Sequence, residues 1–228
     1  MKKKILIIIS CIIIALGVGF GIYVSDYYHA DETALAVLKE QGVTTEDNLT
    51  ILTPENQSDT AIIFYAGAKV EPESYLPILD KLRDKGFMCV LVHMPFNLAV
   101  LDANEAENVI EKFEQIEHWY IAGHSMGGAM ASNFASKNKD KIDGLILLGA
   151  YIYGDYSDED TLTVYGSLNS SVEENIDYTQ NIVVIEGGGH AEFGNYGEQD
   201  SYQKATISAD EQQNQTVNAI YEFINSRK

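Results

Sequence analysis

Along this chain, short apolar runs alternate with segments of helical period. Strands are predicted at 49–52, 61–65, 87–92, 119–122, 142–148, 162–165 and 182–185. Several of these are unbroken Ile, Leu and Val, the composition of strands covered on both faces of a parallel sheet. Helical spacing is predicted between them over 73–85, closed by Gly86, over 103–116, and in a segment beginning at Met126. A brief helix is expected around Ala34, Leu35, Val37 and Leu38. A final helix is announced by Ser208 and Glu211, spaced as a capping box, and carries Val217, Ile220, Tyr221 and Ile224 on one face. Strand alternating with helix in units this short predicts an α/β fold, a doubly wound, mostly parallel sheet.

The first 24 residues break that rhythm. Lys2, Lys3 and Lys4 precede a stretch, 5–24, without a single charge, which is long enough to cross a bilayer as a helix. Basic residues stay on the cytoplasmic side, so everything after about Ser25 is expected outside the membrane. A cleaved signal sequence is the competing reading, with Gly17, Gly19 and Gly21 as the small residues a cleavage site needs. The uninterrupted apolar run favours an anchor, and either reading exports the rest. The expected organisation is a transmembrane anchor over 1–24, a stalk and short helix over 25–47, and one globular domain over 48–228.

Charge narrows the partners. The formal net charge is -19, and the three lysines ahead of the apolar run are included in it. Nucleic acid is excluded as a partner, because phosphate binding needs clustered Lys and Arg. The two cysteines, Cys11 in the apolar run and Cys89 in a predicted strand, form no disulfide framework. No metal or cofactor is implied.

One motif carries chemistry. Gly123-His124-Ser125-Met126-Gly127 follows the strand at 119–122 and opens a helical run, the strand-turn-helix context that a G-x-S-x-G nucleophile elbow requires. The turn is so tight that side chains at 123 and 127 would collide with the neighbouring strand and helix. Ser125 itself must take a strained backbone that lifts its hydroxyl above the sheet edge. The helix that starts at Met126 points its positive end at any negative charge formed there.

A serine nucleophile needs a base, and in this chain order the histidine comes last. Of five histidines, only His190 follows the final predicted strand, after Glu186-Gly187-Gly188-Gly189. The orienting acid is expected after the strand at 162–165, where the sequence reads Gly166-Ser167-Leu168-Asn169. Asn169 can accept the Nδ1 proton of His190 through its carbonyl oxygen, but it lacks the charge that would stabilise an imidazolium. Asp155, after the preceding strand, ranks equally with it, and Glu173 and Glu174 rank below. The oxyanion hole is expected to combine the Met126 amide with that of Ala68, from the loop after the strand at 61–65.

These segments resemble the α/β-hydrolase superfamily, and within it the small single-domain branch related to dienelactone hydrolases and carboxylesterases. The resemblance is carried by Phe64-Tyr65-Ala66-Gly67-Ala68-Lys69-Val70, Met94-Pro95-Phe96-Asn97-Leu98-Ala99, Gly123-His124-Ser125-Met126-Gly127-Gly128, Tyr165-Gly166-Ser167-Leu168-Asn169 and Glu186-Gly187-Gly188-Gly189-His190-Ala191-Glu192-Phe193-Gly194. It implies Ser125 as nucleophile and His190 as base, and an aspartate where this chain has Asn169. Between the predicted strands at 142–148 and 162–165 there is no room for a cap domain. An open site of that kind suits a small-molecule ester or lactone, or a cell-envelope acyl group. The expected function is therefore ester or acyl hydrolysis at the outer face of the membrane, with no cofactor. Acyl transfer is its close variant, and a hydrolase-fold binding or scaffold protein that lost efficient chemistry is the rival.

Overall fold

The computed structural model describes residues 2–199 and 201–227, except for the side chain of Lys2. Met1, Asp200 and Lys228, which fall inside the expected anchor and domain boundaries, lie outside the described residues. Eight strands form one sheet in the order β1-β2-β4-β3-β5-β6-β7-β8. At its centre β3 (Thr60–Tyr65) runs parallel to β4 (Met88–Val92) on one side and to β5 (His118–His124) on the other. Parallel pairing continues outward through β6 (Gly144–Leu148), β7 (Thr161–Gly166) and β8 (Ile182–Ile185). At the opposite edge β2 (Leu49–Leu52) pairs antiparallel with β4, and β1 (Val43–Glu46) pairs antiparallel with β2.

Strands β2 to β7 carry the predicted apolar runs, and every residue of β3, β4, β6 and β7 is buried. Successive side chains point to opposite faces, so alternate residues feed two separate cores. Ile62, Phe64, Tyr120, Ala122, Ile146 and Leu148 pack under α3 (Leu76–Asp84) and α7 (Ala209–Asn225). Ala61, Ile63, Tyr65, Ile121, Leu145 and Leu147 pack under α4 (Glu105–Lys112) and α5 (Met126–Lys137). Two covered faces are the reason these strands read as continuous apolar runs.

The hairpin partner β1 was not expected, since Val43-Thr44-Thr45-Glu46 has no apolar run and lies mostly exposed at the sheet edge. Two helices are shorter than predicted. The 73–85 segment is a 3₁₀ turn at Pro72–Tyr75 followed by α3, and 103–116 retains only α4. Short helices α2 (Glu32–Val37) and α6 (Ser170–Glu173) complete the set. Residues 149–160 join β6 to β7 without a helix or strand, so no cap covers the carboxyl edge of the sheet.

The N-terminal helix α1 (Lys2–Ser25) stands outside both cores. Its segment Lys3–Ser25 is, among the described residues, the one helix long and apolar enough to cross a membrane, and none of it is buried. The chain that follows is bound to the domain. Tyr28 forms a parallel bridge with Val70, its amide donates to the Lys69 carbonyl (2.7 Å), and its own carbonyl accepts from the Glu71 amide (2.9 Å).

Candidate active site

The order of the sheet reverses at β3, whose neighbours β4 and β5 lie on opposite sides, and the crevice beyond the carboxyl ends at such a reversal is where ligands bind in open α/β sheets. Tyr65, the last residue of β3, pairs with Gly123 of β5. The loop at 66–71 and the turn at Ser125 are therefore side by side.

Ser125 has φ 54° and ψ −121°. Such backbone is strained for a residue with a side chain and persists only where surrounding packing over-determines it. Here the packing is visible. A Cβ on Gly127 would run into the carbonyls of Tyr65 and Ala66, and one on Gly123 would lie 2.5 Å from the Gly127 carbonyl carbon. The Ser125 amide donates to Leu148 of β6 (3.0 Å), and its carbonyl accepts from Ala129 (3.1 Å). The serine is thus clamped between two strands and the first turn of α5. Its side chain is partly accessible, beside the exposed Met126. The Met126 amide sits in the first helical turn, where amides have no intrahelical acceptor. Across the crevice, the Ala68 amide donates no hydrogen bond among the described residues. Neither amide donates a hydrogen bond to an acceptor outside its own helix or loop among the described residues.

His190 reaches the same region from β8. Gly166 at the end of β7 leaves no space for a Cβ against the Gly188 carbonyl, and the Leu168 amide donates to that carbonyl (3.0 Å). Gln212, fully buried in α7, brackets Gly189: its Oε1 accepts from the Gly189 amide and its Nε2 donates to the Gly189 carbonyl, each at 3.0 Å. The glycine run is thereby rigid where it delivers the imidazole. Asn169, itself buried, places Nδ2 2.7 Å from His190 Nδ1, and its Oδ1 accepts from Ser171 Oγ at 2.8 Å. A half turn of the amide exchanges O and N. With Oδ1 toward the ring it accepts from Nδ1–H, while Nδ2 donates to Ser171 Oγ, which can accept as readily as donate. That arrangement leaves Nε2 unprotonated, the state a general base requires. Tyr202 stacks on the imidazole, with ring centroids 3.9 Å apart and planes 16° from parallel.

Burial holds the His190 pKa down to about 4, so the ring is neutral at physiological pH. No carboxylate opposes that effect at Nδ1. Among the described residues no hydrogen bond joins Ser125 to His190. Hydroxyl-to-base contacts are often open in unliganded enzymes and tighten with substrate.

Asp155, ranked equal to Asn169 from the sequence, does not reach His190. Its side chain is 99 % exposed and paired with Lys139 at 2.8 Å, which lowers its pKa. The loop at 149–160 runs outward there, and a carboxylate gains more from water and a lysine than from a buried ring. Glu173 and Glu174 are also exposed.

A second histidine joins the two sides of the crevice. The buried ring of His124 contacts the His190 carbonyl through Nε2 (2.9 Å) and the Tyr75 hydroxyl through Nδ1 (2.7 Å). A carbonyl only accepts, so Nε2 carries the proton and Nδ1 accepts from Tyr75. The Tyr75 hydroxyl in turn accepts from the Gly67 amide (3.2 Å). One directed chain thus runs from the loop carrying Ala68 to the backbone of the base. Burial and the neighbouring His190 drive the His124 pKa well down, consistent with a neutral ring. Sequence reasoning singled out only His190 among the histidines, and it missed His124, Tyr75, Ser171, Tyr202 and Gln212. Gln212 left a trace: Gln212, Gln213 and Thr216 continue the apolar stripe of α7 as buried polar residues, a sign that the stripe meets backbone in place of core.

A concavity of about 1030 Å³ opens elsewhere, lined by residues such as Pro54, Gly86 and Glu117, which precede β3, β4 and β5. It lies at the amino edge of the sheet, opposite the crevice. Among the described residues no cluster of His, Cys, Asp or Glu is arranged to hold a metal ion.

Residues 61–214 match the family model described as "Alpha/beta hydrolase family". No curated protein matches the sequence. Similar solved structures include Est1E from Butyrivibrio proteoclasticus, with 17% identity and a TM-score of 0.56 over 82% of this chain and 99% of that one. MenH from S. aureus gives 12% identity and a TM-score of 0.57 over 79% and 100% of the two chains. Monoacylglycerol lipase of Paleococcus ferrophilus gives 14% identity and a TM-score of 0.56 over 81% and 100%. At these identities the likeness is one of fold, and it agrees with the strand order and the elbow; on the match over 61–214, the chain belongs to the α/β-hydrolase family.

Proposed function

We propose that this chain is a serine hydrolase of ester or related acyl bonds, held by its N-terminal helix at the outer face of a membrane. Ser125 Oγ attacks the carbonyl carbon while His190 Nε2 takes its proton. The Met126 and Ala68 amides hold the oxyanion, and Asn169 fixes the tautomer of the base. The same proton then passes to the departing alcohol, and water repeats the sequence to release the acid. Est1E has been seen with ferulic acid bound and the Paleococcus protein is named a lipase, which is in keeping with an acyl substrate. The observation that carries the reading is the strained backbone of Ser125, a conformation that packing alone would have no reason to keep at a serine. Fluorophosphonate labelling of the full chain tests it: wild type is expected to be labelled and Ser125→Ala to be blank, and a wild type as inert as the variant sinks the proposal.

The rival reading, a tethered binding protein with the hydrolase core, draws on Asn169. In a serine protease the change from acid to amide at this place costs about 10⁴ in turnover, chiefly through the wrong tautomer. With the Asn169 amide turned by half a turn, an orientation that Ser171 Oγ accommodates equally well, the useful tautomer is held, and on that arrangement the hydrolase reading is preferred.

A further inference from the structure

In the loop after β4, three large apolar side chains are exposed between 96 and 101: Phe96 at 57%, Val100 at 55% and Leu101 at 50%. They alternate with buried Met94, Leu98 and Ala99, so the loop at 94–101 is packed underneath and apolar on top. Phe96 is held at φ 56°, and Asn97 after it likewise. A bulky side chain in the left-handed region is uncommon and marks a site that surrounding structure forces. What the strain achieves is to turn the Phe96 ring outward, onto α1, where it meets Phe20 edge to face at 5.4 Å.

That contact sets a depth. At 1.5 Å per residue, the apolar run 5–24 is about 30 Å long, the thickness of a bilayer's hydrocarbon core. Phe20 then lies roughly 6 Å below the outer end of the run at Val24, and Phe96 beside it shares that level. Lys69 sits higher, over the Tyr23 ring (4.7 Å) and paired with Asp26 (3.0 Å), where a cation and an aromatic ring meet the headgroups. The Lys69 amide donates to the Asn97 carbonyl (3.0 Å). The exposed loop is thereby fastened to the loop that carries Ala68.

We infer that Phe96, Val100 and Leu101 form a rim seated in the outer leaflet beside the crevice, and that the substrate is an acyl ester of a membrane amphiphile drawn from that leaflet. The contact is apolar, and a chain of net charge -19 gains nothing from anionic headgroups, so it is expected on neutral lipid and to be insensitive to salt. The substrate half rests on the hydrolase reading above; the seating half does not.

The test uses the full chain reconstituted into phosphatidylcholine vesicles whose lipids are brominated near the glycerol end of the acyl chains. Trp119, the chain's single tryptophan, is buried in β5 and gives the baseline. The indole of a Phe96→Trp variant is expected to lose about half or more of its emission to bromine, while that of Tyr221→Trp, on α7 away from this rim, keeps it. Equal emission from the two variants overturns the seating. For the substrate, Phe96→Asp is expected to lower the ratio of turnover on a bilayer-embedded monoacylglycerol to turnover on a soluble short-chain ester about tenfold or more, in keeping with an interface that a buried charge weakens. An unchanged ratio overturns the substrate class. Fluorophosphonate labelling in the same vesicles keeps failures apart: labelling without quenching refutes the rim and spares the hydrolase, and quenching without labelling does the opposite.

Discussion

Ser125 is held almost entirely by backbone: two glycines that admit no Cβ, one strand partner and the first turn of a helix. His190, three strands away, is held by side chains from distant parts of the chain, with Gln212 gripping the loop, Asn169 meeting the ring and His124 bound to its carbonyl. The first arrangement is marked by a few neighbouring residues and closed by backbone from β3 and β6, and its glycines leave no room for a side chain. The second is assembled across the fold and offers several independent places to alter chemistry without losing the structure.

The largest expected effect breaks the local half. Gly127→Ala forces a methyl group against the Tyr65 and Ala66 carbonyls, an overpacking clash with backbone that cannot move aside. A loss of roughly 3 kcal/mol or more is expected from denaturant unfolding, together with loss of fluorophosphonate labelling. A loss below about 1 kcal/mol would show that the elbow is less tightly clamped than its geometry says.

Acid separates the halves next. Burial lowers the folded-state pKa of His190 to about 4, against 6.5 for the free side chain. Protons then bind the unfolded chain more readily, so this contribution is fully present above about pH 6.5 and is lost as pH falls toward 4. The loss amounts to roughly 3 kcal/mol for a shift of this size. Unfolding measured from pH 7 to 4 should show that slope and His190→Gln should flatten it. The same pKa predicts that kcat/KM holds nearly level down to about pH 5 and falls below it.

Asn169→Asp sharpens the contrast. A carboxylate at Nδ1 stabilises the imidazolium, so the acid limb of kcat/KM should move up by about 1–2 pH units. Turnover near neutrality is expected to rise about tenfold or more, within the ceiling of 10⁴ known for the reverse change. Unchanged turnover would mean that the amide already suffices. Gln212→Leu leaves both polar groups of Gly189 unpaired, which should cost about 1–3 kcal/mol in stability and lower kcat more than it raises KM. The smallest effect belongs to Asp155→Ala, an exposed ion pair whose loss should leave both stability and turnover where they were. A crippled Asp155 variant would return the orienting role to that residue.

The contrast also decides what could be read in advance. Strands of Ile, Leu and Val declare themselves by composition, so β2 to β8 were legible, whereas β1 was hidden because an edge strand of Val, Thr and Glu buries no face. Ser125 was legible because the glycines and the strand-turn-helix sequence that mark its turn lie within a few residues, although the packing that fixes it also comes from β3 and β6. For His190, chain order supplied the base, but its orienting partner depended on where two loops run. Asn169 is carried inward by a turn bonded to Gly188, and Asp155 is carried outward to Lys139; spacing along the chain does not distinguish the two. Partners such as Gln212 and Tyr75 join segments far apart in sequence, and only the fold brings them together.

The bare connection at 149–160 has a consequence for the covalent intermediate. On the proposed hydrolase reading, with no cap inserted at 149–160, an acyl group on Ser125 would be open to water once the first product leaves. An acceptor alcohol would have to displace that solvent without a roof to help it. On that reading, the length of one loop favours breaking esters over making them.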